Sequence, residues 1–326
     1  MITSSLNQIK RPIETEISKF NGLFKSSLKS KSALLDLVTK YIFKQKSKKI
    51  RPMLVFLSSK TAGESNERSY RGAILVELLH TATLVHDDVV DNAEKRRGLP
   101  SINAVWKNKI AVLLGDYLLA KGLMLAVDGE DFDFLKIITD TVRRMSEGEL
   151  LQISKTQKLN IDEETYFRII SDKTASLFST CCEIGARSST QDPEKIEALK
   201  KFGENLGIAF QIRDDILDFV GKSGVIGKPL GGDIKEKKLT LPLIYTLNKK
   251  DKAEADKIKK LIRKSGKKNN LQTVINYVKE NGGIEYSYKV AKEYSDSAKE
   301  NLKIFSDSES RRALETLLDF VIDRKN

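Results

Sequence analysis

The chain is poor in the residues that usually advertise chemistry. Its 326 residues include two cysteines, two histidines, one tryptophan and six prolines. The cysteines are neighbours, Cys181-Cys182. Adjacent side chains on a helix diverge, which excludes an ordinary structural disulfide between them and leads us to expect a reducing, cytoplasmic setting. So few soft ligands leave no cluster for zinc. Aromatic residues make up 7% and do not interleave with a basic stripe, so the net charge of +12 does not by itself describe a nucleic-acid reader. No apolar run reaches the roughly 20 residues of a membrane span. The most apolar stretch, 73–90, is broken by Glu77, His80, His86, Asp87 and Asp88. Residues 2–24 are interrupted by Lys10, Arg11, Glu14 and Glu16 and do not form a signal-peptide core. Sustained strand-type alternation is missing too.

What remains is helical periodicity, in a chain that is 40% hydrophobic and 31% charged. Helices are predicted at 5–20, 31–45, 50–62, 67–92, 101–127, 131–155, 162–187, 193–220, 240–248, 252–264, 270–280, 285–305 and 308–324. Ser101, Asp162 and Asp192-Pro193 mark helix starts. No linker divides these elements, so the expectation is one all-α domain over residues 1–326. The one long non-periodic stretch, 221–238, is rich in glycine and lysine and reads as a binding loop or lid.

One pattern occurs twice: Asp87-Asp88-Val89-Val90-Asp91 and Asp214-Asp215-Ile216-Leu217-Asp218, 214 − 87 = 127 positions apart. Three fixed aspartates match by chance only about once per 4,000 positions at average composition. In each copy the first and last aspartates stand i, i+4 and share a helix face. An apolar helix has no packing reason to hold three repelling carboxylates on one turn. Two such turns could hold hard cations, and those cations a polyphosphate. Arg96 and Arg97 follow the first copy and could grip phosphate oxygens. Lys228 and Lys238 lie in the loop after the second.

Together these residues resemble the trans-type prenyl diphosphate synthases, the polyprenyl synthetase family. Asp87–Asp91 with Arg96-Arg97 resembles the family's first aspartate-rich motif, and Asp214–Asp218 its second. Lys173-Thr174, Gln211 and Lys228 match its Lys-Thr pair, its glutamine and its Gly-Lys-Pro loop. Lys48-Lys49-Ile50-Arg51-Pro52 resembles its diphosphate-gripping motif, with Lys46-Ser47 in place of the usual two glycines.

The resemblance implies an orthogonal helical bundle of the isoprenoid synthase type around a central active-site cavity. It implies repeated head-to-tail condensation of isopentenyl diphosphate onto an allylic diphosphate. Three Mg2+ ions would be held by Asp87, Asp91 and Asp214. Arg96, Lys173, Lys228 and Lys238 would add contacts to the allylic diphosphate, and Lys48, Arg51, His80 and Arg97 would hold isopentenyl diphosphate. Thr174 and Gln211 would face the allylic cation. A homodimer is expected, with transient membrane contact for product release.

Ala82 and Thr83 stand five and four residues before Asp87, about 6–7 Å along the helix. Both are small, which predicts a tail tunnel open past C15 and a product near C40. Leu75, Leu79, Met124 and Leu125 are candidate floor residues. A class I terpene cyclase would pair one aspartate motif with an Asn/Ser/Glu metal site, absent here. A non-catalytic subunit of a two-component synthase would have lost motif residues, and all six aspartates are present. A shorter-chain synthase, such as one making geranylgeranyl diphosphate, shares every motif.

Overall fold

The computed structural model describes residues 2–44, 48–96, 98–221 and 230–323. The helices are α1 (Ile2–Lys10), α2 (Glu14–Ser27), α3 (Ala33–Lys44), α4 (Ile50–Ala62), α5 (Glu67–Val90), α6 (Ile102–Asp128), α7 (Phe132–Lys158), α8 (Glu163–Ile170), α9 (Ser176–Ser189), α10 (Pro193–Val220), α11 (Gly232–Lys235), α12 (Leu241–Asn248), α13 (Lys252–Arg263), α14 (Lys268–Glu280), α15 (Gly283–Asn301) and α16 (Glu309–Ile322). Among the described residues the only strands are β1 (Lys95–Arg96) and β2 (Leu99–Pro100), an antiparallel pair.

Three predicted segments differ in their interior, and the first also runs seven residues further than expected, to Ser27. The first helix breaks into α1 and α2 at a single 3-10 turn, Arg11–Ile13, where Pro12 has no N–H for a helical bond. The predicted helix 162–187 is divided by a π-helical turn, Ser171–Ala175. The loop 221–238 contains α11.

The chain forms two compact units: residues 1–139, 180–199 and 305–314, and residues 140–179, 200–304 and 315–326. In the first unit α4 is apolar on every side, with Met53 to Leu57 wholly buried. Phe20 stacks on Phe24 and meets Phe56 edge-on beside it. Helix α5 starts in a capping box. Asn66 accepts from the backbone N–H groups of Arg68 and Ser69, and the Ser69 hydroxyl accepts from the Asn66 N–H. It stops where Asn92 turns left-handed, at φ 49°. Helix α6 lies close along α5, because Gly122 leaves room for Leu75 and Gly115 for His86. A Cβ at Gly115 would stand 2.2 Å from the His86 ring.

Helix α6 is also the one described helix long and apolar enough, by length and composition, to cross a membrane. By this measure the expectation of no run long enough to span a membrane does not hold for α6, although Asp116 and Lys121 interrupt it. A core helix meets the same measure, and the backbone breaks at Lys107 (φ 70°, ψ 163°).

In the second unit, Ile212, Ile216 and Phe219 of α10 are buried with Leu241, Leu243 and Ile244 of α12 and Val274 and Val278 of α14. This core carries the buried side of the second acidic turn.

Candidate active site

Each acidic turn distributes its three aspartates in its own way. On α5 of the first unit, Asp88 is buried at 3% exposure and is held by Arg96, whose Nε and Nη2 reach Asp88 Oδ1 at 2.8 and 2.5 Å. The hairpin makes this contact possible. Gly98 turns with φ 82°, Arg96 pairs with Leu99, and the chain folds back over the end of α5. Asn103 donates to the carbonyls of Asp88 and Ala93, and the Ser101 hydroxyl to that of Ala93, which fixes the return into α6. Asp87 is half-buried and Asp91 exposed, one turn apart. Arg96, expected on a phosphate, is thus bonded to the middle carboxylate.

Also in this unit, His80 and Glu77 are buried on α5. Lys48 is exposed and Arg51 half-buried at the start of α4. Lys49 takes the left-handed conformation (φ 52°), an uncommon backbone for a lysine. Lys49 donates to Asn21, and burial lowers its ammonium below the usual lysine range. Ala82 is buried, and the Thr83 hydroxyl donates to the His80 carbonyl at 2.9 Å. Leu75 and Leu79 are buried, whereas Met124 is 53% exposed and does not line the interior of its unit. Arg97, Lys228 and Lys46-Ser47 lie outside the described residues.

On α10 of the second unit, Asp214 is half-buried. Asp215 is buried at 3% exposure and accepts from the Tyr166 hydroxyl at 2.7 Å and from Gln211 Nε2 at 2.8 Å. Burial, and next the Asp233 charge, push its carboxyl well above the usual range. Asp218 accepts the backbone N–H groups of Gly232 and Asp233 at 2.9 and 3.1 Å and so ties the returning loop to α10.

The π turn presents Lys173 and Thr174, and such turns often occur at functional sites. Arg144 pins it through Asp172 at 2.8 Å, and Gly148 leaves space for the Lys173 backbone. Lys173 pairs with Glu149. Thr174 donates to Gln211 Oε1 at 2.9 Å, and Lys238 pairs with Glu236 at 2.6 Å. A cavity of about 120 Å³ opens among Lys173, Thr174, Gln211, Asp215, Asp233 and Lys238. Buried hydroxyls of Thr156 and Thr240 line it without a hydrogen-bond partner among the described residues. Tyr166 escaped the sequence reading because a tyrosine on an amphipathic helix looks like ordinary core.

Among the described residues no three acidic, histidine or cysteine side chains converge into a ready-made metal cage. The donors still suit a hard cation. Asp87 and Asp91 are less buried than Asp88, and Asp214 less than Asp215, and Mg2+ commonly takes one or two carboxylates, waters and substrate phosphates.

The all-α architecture and the two acidic turns define an isoprenoid synthase fold. A family model described as polyprenyl synthetase matches residues 32–278. An all-trans-nonaprenyl-diphosphate synthase (geranyl-diphosphate specific) of Rhodobacter capsulatus is 36% identical over 97% of both chains. A geranylgeranyl diphosphate synthase of Saccharolobus solfataricus is 35% identical over 95% of this chain and 96% of its own. The crystal structure of a polyprenyl synthase from Caulobacter crescentus, complexed with calcium and isoprenyl diphosphate, superposes with a TM-score of 0.91 at 33% identity, covering 98% of each chain. The chain belongs to the polyprenyl synthetase family, and its enzyme class is that of the trans-polyprenyl diphosphate synthases, which are transferases.

Proposed function

We propose that this single catalytic domain condenses isopentenyl diphosphate repeatedly onto an allylic diphosphate and makes an all-trans polyprenyl diphosphate near C40, a quinone side-chain precursor. The observation that carries the chain length is the small, buried Ala82 next to Thr83, whose hydroxyl is turned onto its own helix. Neither position carries an aromatic side chain. The named relatives range from geranylgeranyl to nonaprenyl synthases, so the length rests on these positions.

Asp87, Asp91 and Asp214 would hold Mg2+, three ions in all. When bound, the metal neutralises charge on the departing diphosphate, an effect of several kcal/mol. Lys173, Lys228 and Lys238 add cationic contacts to that diphosphate. Lys48, Arg51, His80 and Arg97 orient isopentenyl diphosphate. Thr174 and Gln211 turn oxygen atoms toward the allylic cation. The released diphosphate takes the proton, so no protein base is required. Asp88, Asp215 and Asp218 serve the site from behind, through Arg96, Gln211 and the loop.

A homodimer fits the apolar residues exposed on α6 and at the start of α7: Leu113 at 56%, Met124 at 53% and Phe132 at 62%. The reading places the enzyme in the cytoplasm with transient membrane contact for product release. The test is Ala82→Phe, with products sized by mass. It shortens the product to about C15, because the ring closes the path roughly 7 Å from Asp87 by helical rise. Unchanged length would sink the tunnel reading.

A further inference from the structure

The hydrogen bonds beneath the second acidic turn form a directed chain inside one unit. The Tyr166 hydroxyl on α8 donates to Asp215 Oδ2 at 2.7 Å. Gln211 Nε2 donates to Asp215 Oδ1 at 2.8 Å, and Thr174 Oγ1 donates to Gln211 Oε1 at 2.9 Å. Tyr166 and Asp215 are each 3% exposed, so water does not compete for these contacts.

The direction of the chain decides what it presents. A primary amide has a donor end and an acceptor end, and Asp215, which takes the Tyr166 hydroxyl proton on Oδ2, accepts from Gln211 Nε2 on Oδ1. Asp215 therefore takes the nitrogen end of Gln211. The flipped amide would set Oε1 against Oδ1. Oε1 must face Thr174, whose one hydroxyl proton it receives. The lone pairs left over on Thr174 Oγ1 and Gln211 Oε1 belong to groups lining the cavity. A cation forming there meets the negative ends of two dipoles fixed in advance, which is how preorganised electrostatics lowers a barrier.

We propose that Tyr166 is a positioning residue for the ionisation step. Acting through Asp215, it holds the Gln211–Thr174 pair with oxygens toward the developing allylic cation. This rests on the reading of Gln211 and Thr174 as cation-facing groups. Without the Tyr166 hydroxyl, Asp215 loses one of its two side-chain donors and its carboxylate is free to turn. Gln211 then loses the contact that selects its orientation, and an N–H can face the cation. The Tyr166 ring packs edge-on against Phe167 at 5.4 Å, so Tyr166→Phe removes the donor and keeps the packing.

The experiment is a mutant cycle in the full-length protein: Tyr166→Phe, Gln211→Leu and both together. Each is followed by single-turnover condensation, by KM for the allylic diphosphate, and by rate with a fluorinated allylic analogue that ionises less readily. Tyr166→Phe lowers the single-turnover rate about tenfold, the worth of one buried hydrogen bond. KM stays within about twofold, and the gap between parent and fluorinated substrate widens. In the Gln211→Leu background the second change costs less than about twofold, because the group being positioned is gone. A full rate for Tyr166→Phe beside a slow Gln211→Leu overturns the inference and leaves the cation-facing pair standing. Equal losses from Tyr166→Phe in both backgrounds also overturn it, since the tyrosine then acts independently of Gln211. A full rate for Gln211→Leu overturns the reading of the pair itself. Should Tyr166→Phe melt far below the parent, Asp215→Asn takes its place in the cycle under the same criteria.

Discussion

Replacing Arg96 by methionine isolates the contact that shapes the first acidic turn. Asp88 is 3% exposed, and the Arg96 Nε and Nη2 bonds converge on its Oδ1. Methionine keeps much of the apolar stem and removes the charge. Removing one partner of a buried pair costs about 3–5 kcal/mol, because the other charge stays desolvated. The Arg96 side chain is 28% exposed, so water softens the loss and the lower end, about 3 kcal/mol, applies. At roughly 2–4 °C per kcal/mol for a large domain, Tm falls by about 6–12 °C. Asp88→Asn in the same chain removes the orphaned charge and restores most of that loss, since an uncharged amide costs less to bury. Differential scanning calorimetry on the parent, the single variant and the double variant measures both steps. An Arg96→Met protein as stable as the parent would refute the reasoning. So would a double variant no more stable than the single one, which would mean that the arginine acts through something other than Asp88.

Gly207→Ala should destabilise by about 1–3 kcal/mol through overpacking. Its Cβ would stand 2.5 Å from the Ala175 Cα at the end of the π turn, so condensation slows as well, and thermal melts beside rate measurements check both effects. Burial pushes the Cys182 thiol up to about 12 and Cys181 well above its ordinary range. A raised thiol pKa keeps sulfur protonated and unreactive below it, so at pH 8 an aromatic disulfide reagent labels neither cysteine until denaturant is added. Asp218→Ala frees the backbone N–H groups of Gly232 and Asp233 and raises KM for the allylic diphosphate severalfold with the fold intact.

The helices that could be read in advance are those with a chemical start and an apolar periodicity. Helices α4, α5 and α10 were expected at 50–62, 67–92 and 193–220 and occur at Ile50–Ala62, Glu67–Val90 and Pro193–Val220. The π turn was not legible, because residues 163–189 read as one continuous helical segment. The β1–β2 pair was too short for any alternation to register. Pro12 accounts for the Arg11–Ile13 break, but the helical periodicity continues across it. Within the site the residue types were visible and their division of labour was not. Each motif offers identical aspartates, and only packing shows that Asp88 and Asp215 face inward to Arg96 and Tyr166. Arg68 and Arg71 on Asp131 form a comparable buried cluster in the first unit, from residues that carry no motif.

The most direct test of the central claim is the size of the product. Purified protein receives farnesyl diphosphate, labelled isopentenyl diphosphate and Mg2+, and the products are separated and weighed. A ladder ending between C35 and C45, abolished by chelator, is the predicted result and supports both the acidic turns as cation sites and the open path past Ala82. A single C20 product would contradict the tunnel, and no condensation from the isolated chain would contradict the account as a whole.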